Sequence, residues 1–415
     1  MTMNSGNSKR GQVCPYLSTR PKRRTCPLLF VGLAFLVSGC AIARHAVPPD
    51  QLNTVSIFGM QDIRTFGGSP SDSFKRDFVQ LLEQEERRNY SFFDFRAPKT
   101  YYMLAISGGG ANGAYGAGLL NGWSQAGTRP EFRVVTGIST GAIIAPFAFL
   151  GSDHDATLKE FYTRYSTSDL VRLRLPFSNS FASVKPLERL INRYFNADLL
   201  RDITAEYNKG RRLYVGTTNL DAQRLAIWDM GKIASLGDEN ALKLFRKILL
   251  ASASIPIAFP PVYMQAQADN EHYDEMHVDG GISKQVFFLY DVLQGVEKAL
   301  KEKRIDVSKN KYEIYIIRNG YVDSIYKEVP DRIVAIAERT VDTLTTAQSI
   351  GDLYQLYIFA RDGRGDFNLA YIPATHVSKA KEAFDPVEMK ALFDLGFDEA
   401  LKGYDWKKAP PGIEK

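Results

Sequence analysis

Between residues 101 and 150 the chain twice runs from a short apolar stretch into glycine and straight on into a helix-forming segment. Tyr101–Ile106 leads into Ser107-Gly108-Gly109-Gly110 and a run of small residues over 112–125. Phe132–Val135 then leads to Gly137, and an apolar helix follows Ser139. Strand, tight turn and helix in succession bring the next strand back parallel to the first, because a parallel pair needs a crossover of this length. The pattern predicts an α/β fold built on a parallel sheet with crossover helices.

The rest of the chain reads as additions to that core. Residues 211–229 predict a hairpin turning at Leu220 to Gln223, and 262–278 a second with Asp269-Asn270 at its tip. A strand is expected over Tyr312–Ile317, helices over 331–350 and 386–401, and strand material with a glycine turn over 354–372. Pro146 should kink or end the apolar helix after Ser139. Residues 72–88 put Phe74, Phe78, Leu81 and Leu82 on one helical face. Residues 161–186 mix arginines with aromatics: a flap touching lipid with Arg172, Arg174, Phe177 and Phe181, or an irregular cover over the core. The organisation expected is a signal over 1–39, a tether over 40–70, a packing helix over 71–100, a catalytic core over 101–300 and a C-terminal extension of the same domain over 301–415.

The formal charge of +5 is misleading. Residues 1–39 hold six cations and no acid, and without them 46 basic residues face 47 acidic ones. The excess belongs to a targeting segment and makes no case for nucleic acid as a partner. Its basic stretch precedes the apolar run Leu28–Val37 and then Ser38-Gly39-Cys40. This is similar to the lipobox of bacterial lipoproteins. The resemblance implies a diacylglyceryl group on Cys40, membrane attachment through it, and a place in the cell envelope. Ala41 after the cysteine favours the outer membrane. Cys14 and Cys26 both precede Cys40, so a chain starting at Cys40 has no second thiol for a disulfide, a metal or catalysis.

Three constellations carry chemistry. Gly137-Ile138-Ser139-Thr140-Gly141 stands between a strand and a helix, where a sharp elbow needs small neighbours and can expose a nucleophilic serine. The same serine could instead merely cap the helix. Gly108, Gly109 and Gly110 also follow a strand, and three glycines leave backbone N–H groups free to converge on one oxygen. A phosphate loop is the competing reading, but no Gly-Lys-Ser/Thr follows. Asp279-Gly280-Gly281 puts a carboxylate at a strand end with small residues after it that leave room for substrate; such pairs are also ordinary turns.

Taken in order, these three motifs resemble patatin-like phospholipases across residues 100–290. Lys185-Pro186-Leu187, Thr217-Thr218-Asn219, Ala251-Ser252-Ala253-Ser254-Ile255-Pro256 and Phe259-Pro260-Pro261 add to the resemblance. It implies a three-layer α/β/α core around a mostly parallel central sheet, a Ser–Asp dyad with Ser139 as nucleophile and Asp279 as base, an oxyanion hole at Gly108, Gly109 and Gly110, and an acyl-enzyme. The implied activity is that of a phospholipase A or lysophospholipase, with no cofactor. Two positions depart from the family: Ser107 stands where the glycine motif begins with Asp, and Asn112 stands where it carries Arg. Asn112 could itself donate a hydrogen bond. The rivals are an esterase for small soluble esters and a non-catalytic scaffold. A triad hydrolase would need a histidine after the acid; only His376 follows, with no glycine loop around it. His277, two residues before Asp279, could tune it. The histidines show no metal-ligand spacing, and no metal is expected.

Overall fold

The computed structural model describes residues 44–69, 71–79, 100–173, 182–289, 292, 299, 302, 310–326, 328–362 and 365–413. The signal segment, Cys40, Leu81, Leu82, Arg174, Phe177 and Phe181 lie outside the described residues. Residues 45–415 form one compact unit.

Its strands in chain order are β1 (Ser56–Ile57), β2 (Arg64–Phe66), β3 (Thr100–Ile106), β4 (Val134–Ile138), β5 (Arg172–Leu173), β6 (Ala182–Ser183), β7 (Arg212–Asn219), β8 (Arg224–Asp229), β9 (Val262–Ala268), β10 (Glu271–Asp279), β11 (Lys311–Arg318) and β12 (Gly365–Tyr371). All but the small β5–β6 ribbon join one sheet, ordered β1-β9-β10-β7-β4-β3-β11-β12, with β8 and β2 branching from β7. The run β7-β4-β3-β11-β12 is parallel throughout, and the remaining pairs are antiparallel. Both hairpins form, and the φ angles of Asp269 and Asn270 are both positive, as a tight two-residue turn requires.

Alternation along β3 shows why the sheet is covered on both sides. Leu104 and Ile106 join one apolar cluster with the helices Gly113–Gln125, Thr140–Leu150 and Pro386–Leu401. Met103 and Ala105 point the other way, into a cluster with Phe74, Phe78, Phe287, Leu353 and Leu356. The small residues after the glycine loop serve packing. A side chain at Gly118 would meet the Phe393 carbonyl at 1.9 Å, so the helix Gly113–Gln125 lies directly against Pro386–Leu401.

Three expectations are corrected. Residues 45–69 are not a free tether: Asp274 N–H donates to the His45 carbonyl at 2.8 Å, β1 pairs with β9 and β2 with β8. Ile57, Ile63 and Phe66 are buried there, and Arg64 forms an ion pair with the fully buried Glu275. Prolines and glycines in this stretch mark tight turns between very short strands, which composition alone does not distinguish from a linker. The strand expected over 354–372 starts only at Gly365, because the preceding helix runs from Ile333 to Asp362. Leu353, Leu356 and Ala360 repeat at helical spacing and are all buried. The helix after Ser139 does not end at Pro146 but runs on to Leu150.

Candidate active site

β7 organises the site. β8 pairs along one edge of it, and the other edge is shared by two strands that arrive from opposite directions. Parallel β4 ends with Ile138 opposite Gly216; antiparallel β10 ends with Asp279 opposite Thr217. The next residue of the first strand is Ser139. Two residues far apart in sequence thus meet because their strands end at consecutive positions of one neighbour.

Ser139 occupies the elbow at φ 54° and ψ −122°, a left-handed conformation that a non-glycine residue holds only when its surroundings enforce it. Two contacts enforce it. Its N–H donates to Ser252 Oγ at 2.9 Å, and Ser252 in turn donates to the Gly216 carbonyl at 2.7 Å. Gly141 lies so close to β3 that a Cβ there would stand 2.3 Å from the Ile106 carbonyl. The Ala251–Pro256 stretch therefore acts as a clamp, since the Ser254 carbonyl also accepts the Asp279 N–H at 2.9 Å. Sequence reading marked this stretch without assigning it a job.

Asp279 is almost wholly buried. Its Oδ1 accepts the Gly281 N–H at 2.7 Å, its carbonyl accepts from Thr218 Oγ1 at 2.9 Å, and its Oδ2 has no well-formed hydrogen bond. Burial raises its carboxyl pKa from 3.8 to about 7, with the Ser139 hydroxyl and the Gly281 N–H pulling the other way. A carboxyl poised near neutrality, beside a serine hydroxyl, can take and return a proton. The glycines after it serve a different purpose from that expected: a Cβ on Gly280 would lie 2.4 Å from the Gly216 carbonyl, so backbone rather than substrate fills that space.

The glycine loop lies against the elbow, with a Cβ position at Gly108 only 3.3 Å from Ser139 Cβ. Of the three expected oxyanion donors one is already committed: the Gly108 N–H donates to the Gln285 carbonyl at 3.2 Å. The Gly109 and Gly110 N–H groups have no partner among the described residues. Gly109 packs on Asn319, whose carbonyl would stand 1.9 Å from any Cβ there. Asn319 holds the loop further, donating from its N–H to Ser107 Oγ and from Nδ2 to the Ser107 carbonyl, both at 2.9 Å. Sequence reading missed Asn319 and its neighbour Arg318, because they stand far beyond the loop in the chain with no motif around them.

A family model for patatin-like phospholipase matches residues 104–290. Those residues form a patatin-like phospholipase domain. The patatin-like match thus spans the glycine loop, the serine elbow and the Asp-Gly-Gly strand end, and assigns the domain to a family of lipid hydrolases. No match was found among curated proteins. Of solved structures, VipD from Legionella pneumophila is 13% identical over 74% of this chain and 67% of that chain, with a TM-score of 0.35. The type III effector ExoU is 12% identical over 74% of this chain and 53% of its own, with a TM-score of 0.22. These two similarities are too low to carry any functional inference.

The histidines stand apart from this patatin-like arrangement. His376 Nε2 pairs with Glu388 Oε1 at 2.8 Å, beside the start of the last helix. His277 is fully buried, between Thr217 Oγ1 at 2.9 Å and Glu275 Oε2 at 3.0 Å. Burial lowers its pKa despite the Glu275 carboxylate, so it serves as a neutral link between β7 and β10. No group of three or more His, Cys, Asp or Glu side chains suited to a metal occurs among the described residues. A cavity of about 810 Å³ opens on the other face of the sheet between Phe66, Leu225, Phe287 and Leu356, and borders neither Ser139 nor Asp279.

Proposed function

We propose that this chain is a serine acyl-ester hydrolase acting on phospholipid or lysophospholipid through a Ser139–Asp279 dyad. The observation that carries the reading is the end-on meeting of β4 and β10 on one edge of β7, which brings a strained serine and a buried carboxyl of neutral pKa together. Asp279 takes the Ser139 proton as Oγ attacks the acyl carbonyl carbon. The oxygen that becomes negative lies toward the free Gly109 and Gly110 N–H groups. Collapse expels the alcohol, which leaves with the proton held by Asp279, and the acyl chain stays on Ser139. Asp279 then deprotonates water, water attacks the ester, and Ser139 regains its proton as the fatty acid departs.

In the same reading a diacylglyceryl group on Cys40 holds the enzyme at a bacterial envelope membrane, next to its substrate. Apolar chains stabilise such attachment by about 0.8 kcal/mol per buried CH₂. Labelling of the expressed protein by a palmitate analogue, lost in Cys40→Ala, is the expected outcome.

The deciding assay follows fatty acid released from mixed phospholipid micelles by the full chain, beside Ser139→Ala and Asp279→Asn. Both substitutions are expected to lower the rate by about 10³-fold or more. Cleavage of short soluble esters with phospholipid left intact would favour the small-ester esterase. A wild type that releases nothing, and whose Ser139 is not labelled by a fluorophosphonate, would leave the fold as a scaffold and sink the proposal.

A further inference from the structure

Arg318 ends β11 with its side chain almost wholly buried, yet no carboxylate lies within ion-pair distance of it among the described residues. Its Nη1 donates to the Gly108 carbonyl at 3.1 Å and to Ser107 Oγ at 3.3 Å, and its Nε has no partner. Ser107 Oγ also donates to that Gly108 carbonyl, at 2.7 Å. Burial lowers the guanidinium pKa to about 10, with the more distant Asp342 and Asp352 opposing, so the group stays charged at neutral pH. A buried unpaired cation is costly to keep, and a structural role would be filled as well by an apolar side chain of similar size.

The geometry of the peptide unit gives the charge a use. No peptide bond among the described residues is cis, so in the Gly108–Gly109 unit the carbonyl and the N–H point in opposite directions. Ser107 and Arg318 grip the carbonyl end, and the Gly109 N–H at the other end is one of the two donors left without a partner in the loop that lies against the elbow. A donor is strengthened when the carbonyl of its own amide accepts hydrogen bonds, most of all from a charged group. We propose that Arg318 is a positioning residue of the oxyanion site, fixing and polarising the Gly108–Gly109 peptide so that the Gly109 N–H binds negative charge developing on the substrate. The inference rests on the Ser139 acyl-enzyme reading above.

The test compares full-length wild type, Arg318→Met and Arg318→Lys in the micelle assay. It also measures affinity for a long-chain trifluoromethyl ketone, which forms a tetrahedral adduct with serine, and for free fatty acid, which does not. Arg318→Met is expected to lower kcat by about 10–100-fold with KM within about twofold, and to weaken the ketone by a similar factor. Fatty acid affinity should stay unchanged, and Arg318→Lys should recover part of kcat and part of the ketone affinity. A folded Arg318→Met with wild-type kcat overturns the inference while leaving the dyad intact. Equal losses of ketone and fatty acid affinity overturn it too, since they mark a general distortion of the pocket. Should Arg318→Met fail to fold, Arg318→Gln decides, since it keeps a donor but no charge: wild-type kcat and ketone affinity in that variant overturn the inference. A wild type that neither releases fatty acid nor labels at Ser139 overturns both readings together.

Discussion

Arg211, just before β7, and Arg318, at the end of β11, are both buried guanidinium groups at opposite ends of the parallel strands. Arg211 is fully engaged: Nη1 pairs with Glu206 at 2.7 Å, Nε donates to the Phe132 carbonyl at 2.8 Å, Nη2 donates to the Phe149 carbonyl, and the group lies over the Phe149 ring. Arg129 at the same end is paired with Asp155 at 2.8 Å and donates to the Ala148 carbonyl at 2.8 Å. At the other end Arg318 has no carboxylate, Asp279 has an oxygen without a well-formed bond, two glycine N–H groups are free and Ser139 is strained. At the first end Arg129 and Arg211 are both paired and tie the fold together. At the other, donors and an acceptor stay open beside a strained nucleophile, as expected at the carboxyl ends of parallel strands.

The largest effect should come from breaking the paired end. Arg211→Met leaves the buried Phe132 and Phe149 carbonyls without their donor and leaves Glu206 to Lys209 alone, and is expected to cost about 3 kcal/mol in urea unfolding. The enzyme that remains folded should keep its wild-type kcat. Arg318→Met should show the reverse, a small change in unfolding with a clear loss of turnover. If Arg211→Met were to lower kcat in fully folded protein, the division between the two ends would fail.

Asp279→Asn sharpens the contrast from the other side. The folded carboxyl titrates near 7 rather than 3.8, so the native state keeps a proton that the unfolded chain releases. Its contribution to stability is complete below the unfolded pKa and is lost as pH rises through about 7. Asparagine has no charge to bury, so at pH 8 the variant should be inactive yet more stable than wild type, by at most roughly 4 kcal/mol. Thermal unfolding at pH 5 and pH 8 checks this: the gap between the two proteins should widen at the higher pH.

A smaller effect is expected in the pH–rate profile. Asp279 must be ionised to accept the serine proton, so kcat/KM should rise about tenfold per pH unit below 7 and level off above it. A profile flat from pH 5 to 8 would remove Asp279 from the base role. The smallest change belongs to His376→Ala. That side chain supports Glu388 near the last helix, and its loss should cost about 1 kcal/mol while leaving turnover within about twofold.

Much of this arrangement was legible in the sequence because it is local. Strand, glycine and helix stand side by side at Ser107–Gly113 and at Gly137–Gly141, and the hairpin tip at Asp269-Asn270 announces itself. Three things were hidden. Residues 45–69 carry strands of two and three residues, too short for alternation to register. The roles of Ser252, Arg318 and Asn319 depend on contacts between segments far apart in the chain, and their types in isolation suggest nothing. The commitment of the Gly108 N–H to Gln285 likewise depends on where the segment after Asp279 folds back.

The shared edge of β7 has a consequence for how this chemistry tolerates change. Gly216 and Thr217 act as adjacent marks on a ruler, one setting the nucleophile and the other the base. Loops that join the strands carrying Ser139 and Asp279 to β7 can vary in length without altering the spacing those marks impose. Lengthening the tip at Asp269-Asn270 by a few residues should therefore leave turnover close to wild type. One residue inserted between His277 and Asp279 should abolish it, because a single step in register turns the carboxyl to the opposite face of the sheet.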